Sequence, residues 1–183
     1  MTDSDAEHGS TAVPPEPDQA WKILLLVNDW VRHAETKLAA TLAAAGISGG
    51  VLFNLVTDQH ETSLAFNLAA VICCTAVILA GVSAIVGLYP VLAVRRRGPD
   101  DTASLIYFHD IEHRYRNDYP AFRTALHTLT TDADLLTDHL SRQIHANAAV
   151  ADRKFRWANL AIRTLLIDLL ALGALTLIIA LGL

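Results

Sequence analysis

No lysine or arginine stands between Lys37 and Arg95, and none follows Arg163. The chain also has three long apolar stretches, at residues 38–56, 64–94 and 164–183. With all three across a bilayer and the N-terminus in the cytoplasm, residues 57–63 lie outside, and that connection has no basic residue. The C-terminus then also faces outward. All 14 Lys and Arg residues fall on the cytoplasmic side, as the positive-inside rule expects of a multi-pass protein. A span must satisfy its own backbone hydrogen bonds, and a helix does so within itself. The expected fold class is an all-α membrane protein with three transmembrane helices, two of them extended into the cytoplasm as a helical hairpin or bundle.

The chain is 52% hydrophobic yet 18% charged, with a mean hydropathy of +0.34. This is too apolar for a soluble domain and polar enough for a cytoplasmic part. The net charge of −5 argues against nucleic acid as the main partner. Residues 1–18 are acidic and rich in Pro, Ser and Thr, without the basic and apolar regions of a signal peptide, and are expected to be a disordered tail. Cys73 and Cys74 are adjacent within the second span. They fit small apolar positions at a helix contact or in lipid better than a disulfide or metal site.

The expected order is then a cytoplasmic helix (19–37), a first transmembrane helix (38–56), an external loop (57–63) and a second transmembrane helix (64–94). A cytoplasmic connection (95–119), a long cytoplasmic helix (120–160) and a third transmembrane helix (161–183) follow. The second span carries no charged residue and reaches ~46 Å at 1.5 Å per residue, against ~30 Å of hydrocarbon. Gly87 and Pro90 offer a bend near its inner end. The first span is rich in small residues, and Ala45-Gly46 and Gly49-Gly50 allow a close approach of another helix. The third contains Asp168, an ionisable group that must face protein or water. Two readings are open for it: a place near the inner interface reached by water, or the lining of a conduction path in an oligomer.

Ahead of the first span, Leu24, Val27, Val31, Ala34 and Leu38 recur at steps of three and four, the mark of an amphipathic helix. Pro120 marks another helix start, and Phe122, Leu126, Leu129, Ala133, Leu136 and Leu140 repeat in the same way. With no Pro or Gly before Gly173, one helix is expected from Pro120 to the C-terminus. Past Leu140 the heptad lands on Gln143, Asn147, Val150, Lys154 and Trp157, and Ile144, Ala148, Ala151 and Phe155 share the face through helical drift. Polar groups on a packed stripe need partners. They serve either interhelical hydrogen bonds that fix register or a ligand pocket. Likewise Tyr107 and Phe108 suit either an interfacial anchor or a platform that stacks on a base.

His109 and His113, with Asp110 and Glu112 beside them, resemble half a zinc site, but a third ligand at diagnostic spacing is missing. The sequence has no glycine-rich phosphate loop, nucleophile elbow or Ser/His/Asp arrangement at family spacing. An enzyme is not expected, nor is a cofactor or metal.

Several short motifs stand in a particular order around the three spans: Glu35-Thr36-Lys37-Leu38 running into the Ala-rich first span, Ile106-Tyr107-Phe108 after the second, then Gln143-Ile144, Asn147 and Lys154-Phe155 before the third. In this the chain resembles the transmembrane effectors of Pycsar antiphage defence, over roughly residues 21–183. Members typically carry Asp where Glu35 stands and Ala where Leu38 stands. The resemblance implies an abortive-infection effector of the inner (plasma) membrane. A partner cyclase makes cyclic UMP or cyclic CMP on infection, and the effector senses it and impairs membrane integrity, as a homo-oligomer in the lipid bilayer. It also implies a binding region containing Glu35, Lys37, Tyr107, Phe108, Gln143, Asn147 and Lys154. Within it Lys37 or Lys154 would balance the cyclic phosphate, Gln143 and Asn147 would meet the pyrimidine edge, Tyr107 or Phe108 would stack, and Glu35 would bind a ribose hydroxyl or pair with Lys154. The residues alone leave two other classes open: a scaffolding membrane protein with a cytoplasmic partner-binding hairpin, and a small constitutive channel subunit.

Overall fold

The computed structural model describes residues 16–59, 63–90 and 105–182. The described residues form α-helices only: α1 (Pro17–Thr57), α2 (Leu64–Leu88), α3 (Phe108–Tyr115), α4 (Tyr119–Thr131) and α5 (Ala133–Leu181). Of these, α1, α2 and α5 are long and apolar enough to cross a membrane. The expected joining of the 19–37 helix to the first span is observed, since α1 runs through both. The chain divides into two compact units, one of Met1–Leu24 and Asp101–Gln143, the other of Leu25–Asp100 and Ile144–Leu183.

The second of these is a three-helix bundle of α1, α2 and α5. On α1 the residues Val27, Ala34, Leu38, Thr41, Ala45, Ser48 and Leu52 are all buried. Their spacing keeps to the three-and-four rhythm first seen at the polar start of the helix, so one seam runs its length. Asn28 meets Asn147, Glu35 meets Lys154, Leu38 packs with Ala158 and Ala161, and Leu52 packs with Leu175. Numbers rise together in these pairs, so α1 and α5 are parallel. α2 is antiparallel to both: its start, Phe66, joins the Leu52 and Leu175 cluster, and its end, Ala84, joins Leu38. Alanines fill much of the seam, including Ala76, Ala80, Ala84, Ala158 and Ala161, which lets the backbones approach closely. Large apolar side chains such as Ile47, Phe53, Leu68, Val71, Leu170 and Leu177 point outward. That is the reverse of a water-soluble bundle and is what lipid demands. On α1, Gly49 approaches Val77, whereas a Cβ at Gly46 or Gly50 would meet nothing within 4 Å. The small-residue face is thus only partly used inside the bundle.

α2 stops at Leu88, short of the expected end at residue 94. Tyr89 has φ −55° and ψ 124°, the extended conformation that a following proline imposes. Residues 91–94 and Arg95–Arg97 lie outside the described residues, as do the expected tail up to residue 15 and the tip of the 57–63 loop at residues 60–62. Ser63 starts α2, its hydroxyl accepting from the Phe66 N–H at 3.2 Å.

In the other unit, α3 and α4 meet through Tyr115 and Phe122, whose rings lie 5.6 Å apart at 59°. Asp118 caps α4 by accepting from the Ala121 N–H at 3.0 Å, with Pro120 in the first turn as expected. The single helix expected from Pro120 onward is corrected: it is two helices, parted at Asp132, which is extended at φ −113° and ψ 108°. The Asp132 carboxylate accepts from the Leu135 N–H at 2.9 Å and so caps α5. Just before it, Thr128, Thr130 and Thr131 donate their hydroxyls to carbonyls of the preceding turn, a pattern that weakens a helix end. The heptad runs through this break without a change of phase, which is why hydrophobic spacing hides it.

Candidate functional site

Lys154 occupies a seam position of α5 between the buried Ala151 and Ala158. Its residue surface is 7% exposed, so its ammonium needs partners. It has them on both other helices of the bundle. Nζ donates to Glu35 Oε1 of α1 at 3.0 Å and to the Gly87 carbonyl of α2 at 3.2 Å. Gly87 lies in the last turn of α2, where carbonyls have no partner within the helix and a cation is favoured by the helix dipole. A Cβ at Gly87 would stand 2.7 and 2.8 Å from the Leu38 methyls and 2.9 Å from Trp157 Cβ. Only a glycine lets α2 come this close, and the approach is what brings its carbonyl to Lys154.

One heptad towards the polar end of each helix, the Asn147 amide donates to Asn28 Oδ1 at 2.7 Å. Lys37, two residues past Glu35, holds its ammonium 5.4 Å from the centre of the Phe155 ring, a cation–π contact. Arg156 is engaged with Asp152 at 3.2 Å on the same helix.

Of the residues expected at a binding region, the bundle therefore contains Glu35, Lys37, Asn147 and Lys154. The structure brings Glu35 and Lys154 together as an ion pair. It gives Asn147 and Lys37 the partners Asn28 and Phe155. Tyr107, Phe108 and Gln143 belong to the other unit. Tyr107 is half-buried and precedes α3, Phe108 opens α3 with its side chain outside the described residues, and Gln143 is half-buried on α5. The side chain of His109 also lies outside the described residues, and Glu112 pairs with Arg116. Gly87 and Asn28 were not among the expected residues. A cue to Asn28 exists, since it precedes Glu35 by the same heptad by which Asn147 precedes Lys154. Nothing local marks Gly87 as an acceptor, because its role depends on how deep α2 sits.

Chemically, this is a buried cation shared among three helices, whose carboxylate partner is itself half in water: the Glu35 side chain is 47% exposed. An anion arriving from water can replace the carboxylate without an unpaired charge being left inside.

Deeper along the bundle, Asp168 of α5 is fully buried, with Oδ1 accepting from the Cys73 thiol of α2 at 3.1 Å. The reading of Asp168 as a group reached by water at the interface is not what this conformation shows.

The fold is that of a small all-α membrane protein with a polar ion pair at one end of its helical bundle. The chain belongs to the Pycsar effectors: the model of the Pycsar effector protein domain matches residues 19–181. It is 33% identical over 179 residues to the Pycsar effector protein PtPycTM of Propioniciclava tarda, with 97% of this chain and 86% of that protein covered. No solved structure matches. The family resemblance drawn from the short motifs thus holds, and with it the role of an antiphage-defence effector in a membrane.

Proposed function

We propose that this effector senses a cyclic pyrimidine nucleotide, cyclic UMP or cyclic CMP from a partner cyclase, and in response impairs the integrity of the inner membrane. The N-terminus then lies in the cytoplasm and the C-terminus outside. The single observation that supports this reading most is the Lys154 ammonium, held at once by Glu35 and by the Gly87 carbonyl. It is a latch on all three helices, and α1 and α5 continue directly from it into the membrane. A cyclic phosphate competes with Glu35 for Lys154 through charge-assisted hydrogen bonds, and Lys37 adds a second cation nearby. Asn147 leaves Asn28 to meet the base. The alternative packing is favoured only to the extent that the nucleotide binds it more tightly than the latched one.

The test is leakage from liposomes carrying the purified protein. Cyclic UMP or cyclic CMP is expected to raise ion release, with little effect from cyclic AMP and none in Lys154→Met liposomes beyond their basal level. Release that is the same with and without either pyrimidine nucleotide would refute the sensing role. Alanine variants of Tyr107, Phe108 and Gln143 in the same assay test the stacking and base-edge roles that the family resemblance implies.

A further inference from the structure

Among the described residues, the membrane part of the bundle buries Thr41 and Ser83 and, farther from Lys154, one polar side chain from each helix: Ser48 on α1, Cys73 on α2 and Asp168 on α5. These last three share a depth. Cys73 and Asp168 are in contact, and Ser48 follows Glu35 on α1 by nearly as many residues as Asp168 follows Lys154 on α5. Ser48 Oγ and Asp168 Oδ2 are both buried, and neither has a hydrogen-bond partner. Around them the seam is apolar, with Ala45, Leu52, Ala76 and Leu175 buried above and below. A buried polar atom without a partner is destabilising, because it has lost water and gained nothing in exchange. In lipid an ionisable side chain on a span belongs to the protein interior or to a water path. The latched bundle therefore carries two unsatisfied groups in its driest region, and a conformation that lets water reach them relieves both.

We propose that Ser48, Cys73 and Asp168 form the cation-selective layer of a conduction path that opens when the Lys154 latch is released. This rests on the membrane-damaging role proposed above and narrows it from general breakdown to a path for small cations. The sign of selectivity follows from the chemistry of the layer, a carboxylate flanked by a hydroxyl and a thiol with no basic group at that depth on any of the three helices.

The experiment measures current across planar bilayers under a KCl gradient, with labelled nucleotide binding read on the same preparations. Lys154→Met protein serves as a background whose latch is removed without ligand. The wild type with nucleotide, and Lys154→Met without it, should both pass K⁺ in strong preference to Cl⁻. Adding Asp168→Asn should bring the permeability ratio to near unity while nucleotide binding by otherwise wild-type protein stays unchanged. Ser48→Ala should lower the current with less change in the ratio. Undiminished cation preference in Asp168→Asn, or release of large dyes as fast as of ions, overturns the proposal even if nucleotide is bound. Failure to bind nucleotide, with the Asp168 effect intact in the Lys154→Met background, overturns the sensing role instead and leaves this one standing.

Discussion

Replacing Gly87 by alanine adds a single methyl group where three helices converge. Its Cβ would stand 2.7 and 2.8 Å from the two Leu38 methyls and 2.9 Å from Trp157 Cβ. The Leu38 methyls end a flexible side chain and can turn aside. Trp157 Cβ is fixed to the α5 backbone, so relief there needs α2 and α5 to part by several tenths of an ångström. Overpacking of this kind costs ~1–3 kcal/mol, while alanine in a helix returns up to ~1 kcal/mol over glycine. The net is about 1 kcal/mol of destabilisation, and the 3.2 Å bond from Lys154 to the Gly87 carbonyl lengthens as the helices part. Gly46 is the control, since a Cβ there meets nothing within 4 Å and Gly46→Ala should gain up to ~1 kcal/mol. At roughly 2–4 °C per kcal/mol for a chain of this size, the two variants should melt about 4–8 °C apart in detergent, on either side of wild type. Trp157 fluorescence is the local readout. Gly87→Ala should also leak ions without nucleotide. If Gly87→Ala melts at or above the wild type, the close approach of α2 to Lys154 is not as described and the latch argument fails with it.

The ion pair should respond unequally to loss of either partner. Glu35→Ala leaves a buried ammonium with only a carbonyl, at a cost of ~1–3 kcal/mol once the half-exposed position of the lost carboxylate is allowed for. Lys154→Met leaves a carboxylate that water already reaches and should cost less than about 1 kcal/mol. Chemical unfolding of both variants in detergent tests this, and equal losses would show that Lys154 is not shielded. Asp132→Ala removes the α5 cap and should cost ~1 kcal/mol. It should raise amide hydrogen exchange at Leu135 while leaving exchange within the spans unchanged, and uniform change along α5 would argue against a break at Asp132.

The parts of the fold that were legible in sequence are those written in the spacing of a single residue class. The steps from Leu24 to Leu38 mark the buried seam of α1, and three long apolar stretches mark the three helices able to span a membrane. Lys154 and Asn147 stood out as polar residues on a packed stripe, and each does have a partner across the bundle. Asp132 was hidden because the break leaves the heptad in phase, although three nearby threonines and an aspartate spell a weak helix end followed by a cap. Gly87 reads in sequence as a bend and is, in the bundle, a point of close approach. That function depends on two other helices supplying Leu38 and Trp157 at its depth, and the α2 sequence does not contain this information. Asp168 stands out in sequence by its charge, but its contact with Cys73 depends on the same depth alignment. For Gly87 and Asp168 the missing quantity is the depth at which α2 sits against α1 and α5, and it is set by tertiary packing rather than by local pattern.

The central claim is that a cyclic pyrimidine nucleotide takes Lys154 from Glu35. Equilibrium binding of labelled cyclic UMP and cyclic CMP to the detergent-purified protein tests it most directly, with wild type, Glu35→Gln and Lys154→Met measured side by side. The account predicts saturable binding of one or both nucleotides by wild type, binding at least as tight by Glu35→Gln because the competing charge is gone, and severe loss in Lys154→Met. Binding by Lys154→Met as tight as by the wild type would contradict it.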